Sequence, residues 1–484
     1  MSLSSALNLS LSGLSASSRM AATVSENVAN SQTSGYSVRS VELAAGADAQ
    51  GTPGTRIVGI KRAEAPLVSE MRREAQSAST EQSALSEASR RLSDAVGQPG
   101  EATGLAARLD SLDQALARLT ATPESTTLQR TVVTELELLS EKFADAAEDI
   151  LTVREGADRA IASDVETLNS ALSGLERLNA TIRSREASGC DINTLLDQRS
   201  VFVDTVTTIV PARIVEREGS QISLYTPQGV TLLDARAAEI SFAQSPVITA
   251  DMTLGNGQLG ALIVNGQAVD MGSSRLGGGS LAAQFRIRDN LAADAGNHLD
   301  ALAFDTASRL QQADNTLAQG APGLLTDAGL LAEAANQTGL AARLEVNPLI
   351  TPSGSDQIWR LRDGLGAFAP GPELDATGPA VLLDALRSAN SPPPGSVDDA
   401  PISLSLTSHI SALGTALRTQ SDAFVREASF RSAEAMVLEV EESDLLGVNT
   451  DAQLQQLLTI EAAFEANARV MTVVGQLLDE LMEI

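Results

Sequence analysis

One cysteine in 484 residues, Cys190, excludes an intrachain disulfide and with it the usual covalent staple of an exported domain. Gly189 and Asp191 beside it offer no activating base. The only histidines are His298 and His409, so nucleophilic and metal sites have few parts to be built from, and no metal or cofactor is expected. Aromatic residues make up 2%, which excludes a dense aromatic core and favours long helices packed through Ala, Leu and Ser. The net charge of −28 repels phosphate backbones and anionic headgroups, so neither nucleic acid nor an acidic membrane is an expected partner. No apolar run approaches the roughly 20 residues of a membrane span. Residues 1–18 have no basic n-region and eight serines interrupt their apolar positions, so no cleaved secretory signal is expected.

What the chain does have is helical period, cleanest at its C-terminal end. Leu457, Ile460, Phe464, Asn467, Met471, Val474, Leu478 and Leu481 follow alternating steps of three and four, a heptad seam with Asn467 as its one polar member. Such a stripe needs a partner helix, and the N-terminal segment offers one in Leu3, Leu7, Leu11, Leu14, Ala21, Val24 and Val28. The two chain ends are therefore expected to pair as a coiled coil and to hold the middle as an insertion. At Asn467 a buried polar side chain is expected to fix register at some cost in stability.

Along the middle, turn formers over residues 30–35 end the first helix, and alternation over 37–60 predicts a short hairpin with a loop at 46–54. Pro66 opens a long helical tract that is expected to stop at 98–100. Further helices follow with apolar rows at Leu105, Leu109 and Leu112, and from Leu128 through Phe143 to Ile182, reading as an antiparallel bundle. Residues 212–216, 221–225 and 230–233 alternate with period two across glycine turns and begin a β-rich insertion reaching residue 279. Helical spacing returns over 281–319 and again from 402 to 447. Between them, 320–401 is rich in Gly and Pro, with a strand-like 357–361 (QIWRL) whose Trp359 is expected to anchor a small core. The fold class is mainly α with inserted β-rich domains. It divides into a terminal coiled coil (1–36 with 448–484), a helical bundle with the short hairpin (37–200, 280–320 and 402–447), a β-rich insertion (201–279) and a small β or irregular insertion (321–401).

Residues 255–260 (GNGQLG) match the dinucleotide fingerprint G-x-G-x-x-G, but no helix leads out of them, and hairpin glycines explain them better. There is no G-x-S-x-G elbow and no Walker phosphate loop.

Two terminal motifs carry a resemblance. SENVANSQTSGY over residues 25–36, with Asn27, Ala29, Asn30, Thr33, Gly35 and Tyr36, resembles the signature near the N-terminus of the flagellar rod, hook and hook-associated axial proteins. Val28 stands for the usual Ile and Ser34 for a common Pro. The C-terminal Gly447, Val448 and Asn449, followed by Asn467, Ala468 and Arg469, are similar to the closing segment of the hook-associated members, and 193–199 and 286–290 match their internal pattern. The resemblance implies a structural role without catalysis: terminal helices lining an axial channel, inserted domains facing outward, and export through the flagellar type III apparatus to an extracellular position at the hook–filament junction. Its implied partners are copies of itself in a ring, the hook protein, a second junction protein leading to the filament, and a flagellar export chaperone on the C-terminal helix. Flagellin and the hook protein are alternatives within that group; the 30–36 signature speaks against the first and the long helices of 66–182 against the second. A secreted hydrolase using Ser with His298 or His409 is the alternative of a different class, and it lacks a visible triad.

Overall fold

The computed structural model describes residues 3–47, 53–97, 100–269, 277–371, 377–391, 395 and 403–482. Helix α1 (Leu3–Ala29) leads into the antiparallel hairpin β1 (Arg39–Ala47) and β2 (Pro53–Arg62), which carries a bulge at Glu42 and Leu43. Four helices follow: α2 (Pro66–Val96), α3 (Leu105–Ala121), α4 (Thr126–Ala187) and α5 (Asn193–Ile209). Pro66 sits at the first turn of α2, where its missing N–H costs nothing, and the Ser125 hydroxyl caps α4 by accepting from Leu128 N at 3.4 Å. At 1.5 Å per residue the 62 residues of α4 extend about 93 Å, which makes it the spine of the molecule.

Two small three-stranded antiparallel sheets come next, β3 (Arg213–Glu216), β4 (Ile222–Tyr225) and β5 (Thr231–Leu233), then β6 (Ile240–Phe242), β7 (Leu262–Val264) and β8 (Gln267–Val269). Asn265 and Gly266, both at positive φ, turn β7 into β8. Helix α6 (Gly279–Arg286) passes through a π turn (Ile287–Leu291) into α7 (Ala292–Ala313). The last part holds β9 (Leu325–Asp327), α8 (Leu340–Arg343), β10 (Leu344–Val346), α9 (Arg360–Asp363) and α10 (Gly378–Arg387), before the long α11 (Leu406–Leu446) and α12 (Thr450–Met482).

Two apolar cores divide α4 between them. Residues up to Ala157 pack with α2, α3, α7, α10 and the N-terminal half of α11. From Ile161 onward the helix packs with α5, α6 and both three-stranded sheets. Residues 321–401 have no separate core among the described residues: Leu325, Leu344, Ile358, Leu361 and Leu386 join the bundle core.

Several expectations change. The 357–361 segment is a helical turn, since its buried residues Ile358 and Leu361 are three apart, a helical interval. Trp359 is only half-buried, with the Arg360 guanidinium 4.9 Å from its ring centroid, and Ile358 and Leu361 are the anchors. The hairpin strands run into the expected loop, pairing Gly46 with Gly54; residues 48–52 lie outside the described part. The expected helix stop at 98–99 and helix start at 402 also fall outside it; the helices themselves end at Val96 and begin at Leu406. The hairpin, expected with the bundle, straddles bundle and terminal pair, with Ser12 Oγ accepting from Thr55 N at 3.3 Å and Asn193 Nδ2 donating to Ile60 O at 3.1 Å.

Candidate functional site

Helices α1 and α12 lie against each other. Asn27 meets Gln453 and Gly13 meets Asn467, positions fourteen residues apart on each helix and opposite in direction, so the pair is antiparallel. On α12, Ile460 and Val474 are buried; Leu457, Asn467 and Met471 are half-buried; Phe464 and Leu478 remain 45% and 37% exposed; the Leu481 side chain lies outside the described part. On α1, Val24 is buried and Leu3, Leu7, Leu14 and Val28 are half-buried, whereas Leu11 is 57% exposed. The buried positions of α1 are Ser10, Ala16, Ser17, Thr23, Val24 and Asn27, a row of mostly small residues beside the expected leucine row. Small side chains let the helices approach closely, and a Cβ built on Gly13 would come within 2.7 Å of Asn467 Nδ2.

The N-terminal motif builds the joint between this pair and the bundle. Asn27 is 1% exposed, and its amide pairs with both backbone groups of Arg39, Nδ2 donating to the carbonyl at 2.8 Å and Oδ1 accepting from the N–H at 3.0 Å, as a neighbouring strand would. The same amide donates to Gln453 Oε1 at 2.9 Å and accepts from the Tyr36 hydroxyl at 2.8 Å. Asn30 donates twice to Glu26 O, from its backbone N–H at 3.0 Å and from Nδ2 at 2.9 Å, and the exposed Thr33 bonds back to Asn30. Gly35 has φ +77° and a Cβ there would sit 2.9 Å from the Asp197 carbonyl oxygen, so the turn needs glycine for conformation and for space. Ala29 is exposed.

Arg39, which the motif does not contain, carries the joint onward. Its guanidinium bonds Glu26 of α1 and Asp197 of α5, the latter at 2.8 Å, and lies 4.8 Å from the Tyr36 ring centroid. Arg62 takes the other Asp197 oxygen at 2.6 Å. Burial works against the Arg39 charge, but the Asp197 hydrogen bond and the surrounding anions hold its pKa above the ordinary value. Burial pushes the Tyr36 hydroxyl up to about 12, so it stays a donor. Arg39 and Asp197 are 158 positions apart, and no periodicity marks either.

At the other end, Gly447 closes α11 with its N–H 2.8 Å from Ser443 O, and Val448 is half-buried. Asn449 caps α12, its Oδ1 accepting from Ala452 N at 3.0 Å. The hairpin is tied in by Val38 N donating to Leu446 O at 2.8 Å. Ala468 is half-buried and Arg469 reaches Glu465 in solvent at 3.4 Å.

Elsewhere, His409 Nδ1 bonds Asp305 inside the bundle at 2.9 Å, with Arg309 on the same carboxylate, which ties α7 to α11. Cys190 is exposed. Among the described residues no group of three or more His, Cys, Asp or Glu is arranged to hold a metal ion, and no helix is long and apolar enough to cross a membrane.

Among the described residues a pair of chain-end helices, a long-helix bundle and small sheets come together, with polar side chains at the joints between them. The family model described as the flagellar hook-associated protein FlgK helical domain matches residues 89–324, and that of the flagellar basal body rod FlgEFG protein C-terminal matches 446–484. Over these two stretches the chain is similar to flagellar axial proteins, and in its helical middle to hook-associated protein 1. It is 24% identical over 243 residues to flagellar hook-associated protein 1 of Salmonella typhimurium, and equally to that of Salmonella typhi, covering 49% of this chain and 44% of each relative. The match thus spans less than half the length of those relatives. A solved structure of the flagellar hook junction protein FlgK from Burkholderia pseudomallei aligns at 22% identity and a TM-score of 0.44, over 53% of this chain and 44% of that one.

Proposed function

We propose that this chain is a structural subunit of the bacterial flagellum that forms a junction ring between hook and filament, outside the cell, and that it performs no catalysis. The observation that carries this is the antiparallel closure of the two chain ends around Asn27, because the residues of the axial signature and of the C-terminal segment meet in one joint. In this reading the terminal pair (1–36 with 448–484) belongs to the inner layer and 201–279 and 321–401 face outward. Its partners are further copies of itself, the hook protein, a second junction protein and an export chaperone. Cells lacking the chain test it: they should complete hooks and release filament subunits into the medium. Normal filaments on such cells would overturn the reading.

A further inference from the structure

Helix α4 changes cores between Ala157 and Ile161, and in the same layer α6 borders both cores, with Leu281 and Phe285 in one and Ala283 in the other, while Ile287, Leu291 and the apolar row of α7 lie in the bundle core alone. The crossing is occupied by charge. Arg288 is fully buried, Asp158 is 1% exposed and Arg154 is 2% exposed. Arg288 bonds Asp158 at 2.7 Å and Asp289 at 2.7 Å, with its guanidinium 4.9 Å from the Phe285 ring centroid, and Arg154 Nε donates to the Arg288 carbonyl at 2.9 Å.

What this cluster holds is the outer segment, and it holds it by backbone. Arg288 Nη2 donates to Gly260 O at 3.0 Å, Arg154 Nη1 donates to Thr249 O at 3.1 Å, and Asp158 Oδ2 accepts from Ser245 N at 2.9 Å. A π turn adds one residue to a helical turn, which shifts the phase of everything beyond it by about 100°. With that shift, Arg288 meets Asp158 of α4, Phe285 before it stays in the second core, and Ile287 and Leu291 enter the bundle core. We infer that the π turn Ile287–Leu291 and its buried ion cluster are a latch that seats residues 240–269 at a fixed angle on α4, as a rigid outward arm in place of a tethered lobe.

The inference stands apart from the proposed function and is tested on the 484-residue chain. Spin labels on the native, exposed Cys190 at the end of α4 and on a Gln258→Cys substitution report the arm's angle through the width of their distance distribution. Arg288→Met alone would strand Asp158 in the core, so the informative variant is Arg288→Met with Asp158→Leu, which removes one buried charge of each sign and leaves Arg154 and Asp289 in place. A second variant deletes the exposed Asn290, returning the π turn to α phase. The parent should give a narrow distribution, and both variants should broaden it about twofold or more, while far-ultraviolet circular dichroism stays at the parent's helix content. Should the deletion fail to fold, the double substitution alone decides. A parent distribution that is already broad, or a double variant as narrow as the parent, overturns the latch.

Discussion

Asn467 of α12 lies across Gly13 of α1, where an added Cβ would stand 2.7 Å from its Nδ2 and 2.9 Å from its Cγ. In an exposed helix, replacing Gly would raise stability by up to about 1 kcal/mol through propensity alone. Here contact reverses the sign. Gly13→Val is expected to weaken the terminal pair by about 1 to 3 kcal/mol, because its branched methyls would displace the half-buried Asn467 amide. Asn467→Ala should recover part of that loss, and the local opening free energies of α1 amides in the two single variants and the double give the coupling. Additive effects would show that the helices do not meet at this point.

Asn27 yields a sharper test, since its shape can be kept while its donors are removed. In Asn27→Asp the carboxylate would face the Arg39 carbonyl, which cannot turn away, and Gln453 Oε1, which can by flipping its amide. A buried acceptor against an acceptor costs the desolvation of both. Asn27→Asp should therefore destabilise the joint by about 2 to 4 kcal/mol at pH 7, as much as Asn27→Leu. Urea unfolding of the two variants checks this, and an Asp variant as stable as the parent would remove Asn27 from the joint.

How far the sequence discloses this architecture depends on what each feature leaves as a pattern. The α12 seam is legible because large apolar residues mark a heptad. Its partner face is less so, because the close approach of α1 is built from residues that score as neutral; yet Ala6, Ser10, Gly13, Ser17, Met20 and Val24 also step by four and three, and reading small residues as an interface would have found them. Asn27 is visible as a motif, but its partners Arg39 and Gln453, and Asp197 beyond Arg39, come together only through topology. The π turn shows only as a break in phase, from the row of Leu281 and Phe285 to that of Ile287 and Leu291, which the apolar content of 281–310 does not disclose. At 357–361 the apolar residues are too few to separate period two from period three, and Gly364 at φ +95° decides for the turn.

Asp300 should make stability depend on pH in a direction opposite to that of an ordinary paired carboxylate. It is 5% exposed, and burial raises its pKa to about 6 although Gly339 N and Ala341 N donate to it at 2.6 and 2.9 Å. The folded chain then keeps this proton up to about pH 6, whereas the unfolded chain releases it near 3.8. Between those values the folded state binds more protons, so the contribution of Asp300 falls as pH rises, by on the order of 2 to 3 kcal/mol across the window. Asp300→Asn removes the titration. Its stability relative to the parent should be lowest near pH 4 and rise toward pH 7; a difference constant with pH would mean that Asp300 titrates alike in both states.

Before assembly the C-terminal helix carries an uncovered apolar face. Even packed on α1, α12 leaves Leu454, Leu458, Phe464, Val470, Val473 and Leu477 exposed, so pairing within one chain does not cover it. Apolar surface of that extent on a helix promotes aggregation and fits a groove-binding helical chaperone. Two truncations separate the faces involved. Deleting residues 457–484 should abolish capture by the flagellar export chaperone. Deleting residues 1–30 frees the α1-facing seam of Leu457, Ile460, Met471 and Val474, and should strengthen capture if the chaperone takes the place of α1, or leave it unchanged if the chaperone takes the outer row. Titration calorimetry on the two truncated chains reads both outcomes. Binding that survives loss of 457–484 would place the chaperone elsewhere and leave the exposed row of α12 for contacts between subunits.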